Sequence, residues 1–229
     1  MVHYAQAGSK LDCIGAHALA KSLGIGRNTY QLLLLFAAIL LTIAAIYTDV
    51  RVWENGMKET SLVETSQSAL IFLSALFFAL GARKYPEKRG YLALVATLFF
   101  CMFARENDAF LDVIRHGFWR VPVILTLCIG AVFVIPNRRT IGASARHHAQ
   151  DSAFWFIAIG FFQLLVFSRL FGSRQLWGHA LEQDAGLVKT TVQESTELLC
   201  YALIFLGSYL SHKYRYGDHQ ASTATSSAQ

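Results

Sequence analysis

The sequence predicts an all-α integral membrane protein: a six-transmembrane-helix bundle with its N- and C-termini cytoplasmic. Three observations lead there. The 229 residues are 54% hydrophobic and only 15% charged, where soluble domains carry nearer a quarter charged residues, and mean hydropathy is +0.39. Six apolar runs recur along the chain, at residues 30–48, 62–82, 91–103, 121–136, 153–170 and 198–210. None alternates polar and apolar positions as the strands of a membrane barrel do, so the expected elements are helices that satisfy their own backbone in lipid.

Charge sets the expected orientation. With the N-terminus inside, 12 of the 20 basic residues face the cytoplasm, among them the Arg83/Lys84/Lys88/Arg89 and Arg138/Arg139/Arg146 loops. Of the 15 acidic residues, 11 then lie outside or at the outer membrane edge. A pI near 9.1 is therefore a topology signal. No basic helix or aromatic-basic module stands apart from the membrane, so no nucleic-acid partner is expected. The implied location is the cell inner (plasma) membrane, multi-pass, with the lipid bilayer as first partner. No cleavable signal peptide is expected, since the first apolar run opens only near Tyr30 and no small-residue cleavage site follows it. The cysteines Cys13, Cys101, Cys128 and Cys200 form no CxxC pair and read as small core hydrophobes.

In chain order, residues 1–29 read as a cytoplasmic N-terminal segment. Leu11, Ile14, Ala18 and Leu19 share a face that suits an interfacial helix, and Gly24-Ile25-Gly26 interrupts it. Residues 30–216 form the membrane domain. The first run carries almost no polar residue. The second opens on Glu64-Thr65-Ser66-Gln67 and ends before Pro86. The third continues without a turn signal into a charged stretch. Read as one helix, it places Arg105, Asp108, Asp112 and His116 on a single face. Gly117 ends it, and Pro122 suits the start of the fourth run, which stops at Pro136-Asn137. The basic loop holding Arg146, His147 and His148 reads as solvated. The fifth run closes on Ser168-Arg169, and the sixth opens on Glu194-Ser195-Thr196-Glu197. Trp53, Trp119 and Trp177, one in each outer loop, fit an aromatic belt. Residues 217–229, rich in Ser, Thr and Ala, read as a disordered tail. The Glu64 and Glu194 segments resemble each other enough to suggest a duplication of the first two spans onto the last two.

Counting about 20 residues per span from the inner boundary brings Glu64, Arg105, Glu106, Asp108, Arg169, Glu194 and Glu197 to a similar depth. Charge there is costly unless paired or wetted, and acid exceeds base, which calls for bound protons or a bound cation. The leading expectation is a polar site at the outer edge, possessed by a metal-assisted hydrolase or transferase acting on a lipid-borne substrate. Glu64, Glu106, Glu194 and Glu197 would hold a divalent metal ion. Glu106, Asp112 and His116 would be catalytic, the last two as an i,i+4 acid–base pair. Arg105 and Arg169, with His179, would bind a phosphate or carboxylate of the substrate. Two alternatives stand beside it: a non-catalytic membrane partner subunit docking through its charged outer face, and a proton or metal-ion transporter. The spans offer only scattered neutral groups below the acids, such as Ser74, Thr97, Gln163 and Ser208, which counts against a continuous pathway.

Overall fold

The computed structural model describes residues 26–53, 61–173, 175, 177 and 185–226, those past His212 by backbone alone. Among the described residues every regular element is helical. In chain order they are α1 (Arg27–Tyr47), α2 (Leu62–Lys84), α3 (Arg89–Glu106), α4 (Asp108–Asp112), α5 (Arg120–Val134), α6 (Ile141–Ala149), α7 (Ser152–Phe171) and α8 (Ala185–Ser226). The N-terminal interfacial helix expected before residue 26 lies outside the described residues.

Three segments, Asn28–Val52, Leu62–Lys84 and Ser152–Phe171, are long and apolar enough to cross a membrane. A fourth appears if Arg120–Val134 and Arg138–Ala149 count as one span bent by 82°. The two remaining apolar runs fall in α3 and α8, which also carry the charged residues of the site described below. Helix α3 has Arg89, Arg105 and Glu106 among its 18 residues.

Helix α8 is the axis of the bundle. It packs along α7, α2 and α1, while α3 packs on α2 and α5 on α3. The α7–α8 seam is close enough to need glycine on both sides. A Cβ on Gly160 would lie 2.7 Å from the Cys200 carbonyl oxygen, and one on Gly207 2.6 Å from that of Ala153, a small-residue packing suited to helices in lipid. The core lies between α2, α3 and α8, where Ile71, Phe78, Leu92, Phe99 and Ile204 are buried. The peripheral helices do the opposite. Leu41 on α1, Val132 on α5 and Phe162 on α7 are 71%, 68% and 65% exposed. A belt of that kind is intolerable to water and ordinary in lipid.

The two ends of the bundle differ in charge. Helices α2 and α8 begin, and α3 and α7 finish, at an acidic end. At the opposite, basic end lie Arg83, Lys84, Lys88, Arg89, Arg138 and Arg139. At the acidic end Asp49 is fully buried, and its two carboxylate oxygens accept from the N–H groups of Leu62 (3.0 Å) and Val63 (2.7 Å). It caps the first turn of α2 from outside that helix, together with Ser61, which accepts from Glu64 N.

Two sequence expectations need correction. The third run does not continue as one helix through His116. Asn107 ends α3, its side-chain amide donating to the Phe103 carbonyl at 2.8 Å, a local bond that competes with helix continuation. The chain restarts as the five-residue α4 and turns back at Gly117, the glycine with positive φ (78°). His148 is not solvated. It is 3% exposed, with Nδ1 2.7 Å from Tyr91 Oη and Nε2 2.7 Å from Ser211 Oγ. Helix α8 runs to Ser226. Extending a helix already anchored by packing costs little per residue.

Candidate functional site

A cavity of about 540 Å³ opens at the acidic end between α2, α3, α7 and α8. Its position follows from the packing. Helices α3 and α7 flank α2 and α8, and the cavity lies between them. The wall there is apolar, with Leu98 and Met102 on α3 and Leu164 and Leu165 on α7.

The polar lining comes from helix ends. Helix α2 contributes Glu64 and Gln67 from its first turns, α3 contributes Arg105 and Glu106 from its last, and α7 contributes Ser168 and Arg169 from its last. Helix α8 contributes a stripe at i, i+3, i+7: Glu194, Glu197 and Tyr201, with Gln193 beside it. The arginines sit at helix C-termini and Glu64 at an N-terminus, the sense favoured by the helix dipole.

The carboxylates are held by neutral donors. Tyr201 Oη donates to Glu106 Oε1 at 2.6 Å. Gln67 Nε2 donates to the backbone oxygen of Glu194 at 3.0 Å and to its Oε2 at 3.3 Å. Glu197 Oε1 accepts from Ser168 Oγ and, at 3.1 Å, from Gln193 Nε2. Arg105 forms no ion pair with these glutamates among the described contacts. It pairs with Asp108 across the break at Asn107, and its guanidinium lies 5.7 Å from the Trp119 ring centroid. Arg169 is exposed at the rim. Pairing of Glu64 with Arg105, or of Glu194 or Glu197 with Arg169, is thus absent among the described contacts. Five acids and two arginines line one cavity.

The residues singled out from the sequence divide into two groups. Glu64, Arg105, Glu106, Arg169, Glu194 and Glu197 all line this cavity. Asp112 and His116 do not. Their side chains approach to 3.1 Å, but the His116 side chain is fully exposed and Asp112 Oδ1 accepts from Gly117 N at 2.9 Å. The pair closes the turn after α4. His179 lies outside the described residues. Among the described residues no three His, Cys, Asp or Glu side chains gather closely enough to hold a metal ion.

Ser168, Gln193 and Tyr201 were not assigned a role from sequence, yet they position the carboxylates. A signal for two of them exists: Gln193 and Tyr201 stand four residues either side of Glu197, hence on its helical face.

Toward the basic end the cavity stops. Ile71, Phe78, Phe99 and Ile204 close the bundle beneath it. The neutral groups there bond back to their own helices, Ser74 Oγ to Leu70 O, Thr97 Oγ1 to Ala93 O and Ser208 Oγ to Ile204 O. They form no relay toward the basic end.

No protein-family model, curated protein or solved structure matches this chain.

Proposed function

We propose that the chain is a six-span inner-membrane protein with cytoplasmic termini, and that its acidic cavity, at the outer membrane edge, binds the cationic head of an amphipathic, lipid-borne molecule. The observation that carries this reading is the bonding of Glu106, Glu194 and Glu197. Each is oriented by a neutral donor, Tyr201, Gln67 or Ser168 with Gln193. Neutral donors orient a carboxylate without supplying a counter-charge, and five acids against two arginines in one cavity leave acid in excess for a cation entering it.

The ligand class follows from the shape. A cavity opening sideways past Leu98, Met102, Leu164 and Leu165 admits an apolar tail from the bilayer while the head reaches the glutamates. Arg169 at the rim suits an anionic group placed outward of the cation, as in a zwitterionic head. Closure beneath the cavity supports a one-sided site over a transport pathway.

The test is binding in lipid nanodiscs of a dansylated long-chain amine against its N-acylated, uncharged counterpart. The amine is expected to bind and the amide to bind at least about tenfold more weakly, a difference of roughly 1.4 kcal/mol. Equal binding of the two would remove the cationic reading.

A second reading, a membrane partner subunit, has one observation in its favour. Beside the cavity mouth, Phe110, Val113 and Ile114 are 60%, 85% and 68% exposed, an apolar edge on the α4 segment suited to contact with a neighbouring membrane protein. Cross-linking from a photoreactive residue at 113 to lipid alone would count against that reading.

A further inference from the structure

A second lateral opening faces the other leaflet. Helices α2 and α5 both pack on α3, and between them runs a groove of about 620 Å³, within the size range of ligand sites. Its floor is small by sequence: Ala93 and Ala96 on α3, with Ala79 and Ala82 along the α2 wall. Helix α5 packs along α3 and comes closest at Gly130, where a Cβ would lie 2.2 Å from Thr97 Oγ1. The groove is therefore a fixed feature of the bundle.

Its basic end is marked by two arginines, Arg83 and Arg89. Arg89 Nε donates to the Ala82 carbonyl at 3.1 Å, satisfying the C-terminus of α2 and pinning the guanidinium at the groove mouth. Among the described residues no carboxylate pairs with either arginine. Lys84, Lys88, Arg138 and Arg139 stand around the same end. An anionic group at this point meets a pinned, bidentate-capable donor inside a wider positive field, while an aliphatic chain lies on the alanine floor.

We infer that this groove binds an anionic glycerophospholipid of the inner leaflet, its phosphate on Arg83 and Arg89 and one acyl chain between α2 and α5. Anionic lipids concentrate in the cytoplasmic leaflet and favour basic pockets between helices. The inference shares with the proposed function only the placement in a bilayer; its residues lie at the opposite end of the molecule.

The test is native mass spectrometry of the full chain released from phosphatidylcholine nanodiscs doped with phosphatidylglycerol. Retention of one phosphatidylglycerol in preference to phosphatidylcholine is expected. The double variant Arg83→Gln/Arg89→Gln should lower that retention at least tenfold. Ala96→Phe, which fills the floor and leaves both arginines, should lower it comparably. Lys84→Gln/Lys88→Gln, outside the groove, should retain the lipid. Equal retention of the two lipids by the wild-type chain, unchanged retention in the arginine or Ala96 variants, or displacement by inorganic phosphate alone would overturn the inference. Amine binding at the acidic end should survive in Arg83→Gln/Arg89→Gln, so that failure here and failure of the proposed function are told apart.

Discussion

The two ends of the bundle solve the problem of polar groups near an apolar core in opposite ways. At the basic end His148 is boxed by Phe78, Tyr91 and Phe154, and both ring nitrogens have partners, Tyr91 and Ser211, on different helices. Gln31 and Ser152 tie α1 to α7 nearby. That network is satisfied from within and leaves no space for a guest. At the acidic end, similar neutral donors reach carboxylates that still border an open cavity. Partner chemistry alone does not separate a structural polar cluster from a binding site. The difference lies in acid content and in the empty volume beside it: the enclosed network around His148 joins helices, whereas the acidic one borders an open cavity, which is what the proposed ligand site requires.

The contrast can be broken by substitution. The largest effect is expected at Gly90, at the basic end, where a Cβ would lie 2.2 Å from the backbone oxygen of Asn137. Gly90→Val should destabilise the fold by about 3 kcal/mol or more, seen as a lowered thermal midpoint in detergent. His148→Ala comes next. It strands Tyr91 and Ser211 in a buried site and empties the space between three aromatic rings, so a loss of about 2–3 kcal/mol is expected. Asp49→Ala, which removes the cap of α2 at the acidic end, should cost about 1–2 kcal/mol. It would show that a carboxylate at that end can be structural when it is fully enclosed. The smallest stability effect is expected in the cavity, where Glu106→Gln and Glu197→Gln keep shape and hydrogen-bonding capacity and should lie within about 0.5 kcal/mol of the parent. Their effect should appear in amine binding instead. A loss of stability there as large as that of His148→Ala would erase the distinction between the ends.

Much of the acidic end was legible in the sequence, because alternating helices must start and finish at one face and residue counting fixes depth. The seven residues brought to one depth by counting, Glu64, Arg105, Glu106, Asp108, Arg169, Glu194 and Glu197, line one cavity for that reason. Asp112 and His116 were misplaced because the periodic argument assumed a helix unbroken at Asn107, and a side-chain bond to Phe103 O stops it there. The partner of each glutamate depends on helix rotation, which hydropathy leaves open. Hence Tyr201, Gln67 and Ser168 emerge as partners only from the structure. His148 sits in a run of basic residues that reads as solvent-facing. Its burial depends on Tyr91 and Ser211, 57 and 63 residues away in sequence. Asp49 falls just past the first apolar run, and its capping role depends on backbone N–H groups 13 and 14 residues on.

The central claim is that the cavity glutamates serve a ligand rather than the fold. The direct measurement is the thermal midpoint of the parent and of Glu106→Gln/Glu197→Gln in nanodiscs, each with and without the long-chain amine. The predicted result is a double variant as stable as the parent without amine, and a parent that alone gains stability when amine is added. A double variant that unfolds well below the parent without amine, or that gains as much from the amine as the parent does, would contradict the account.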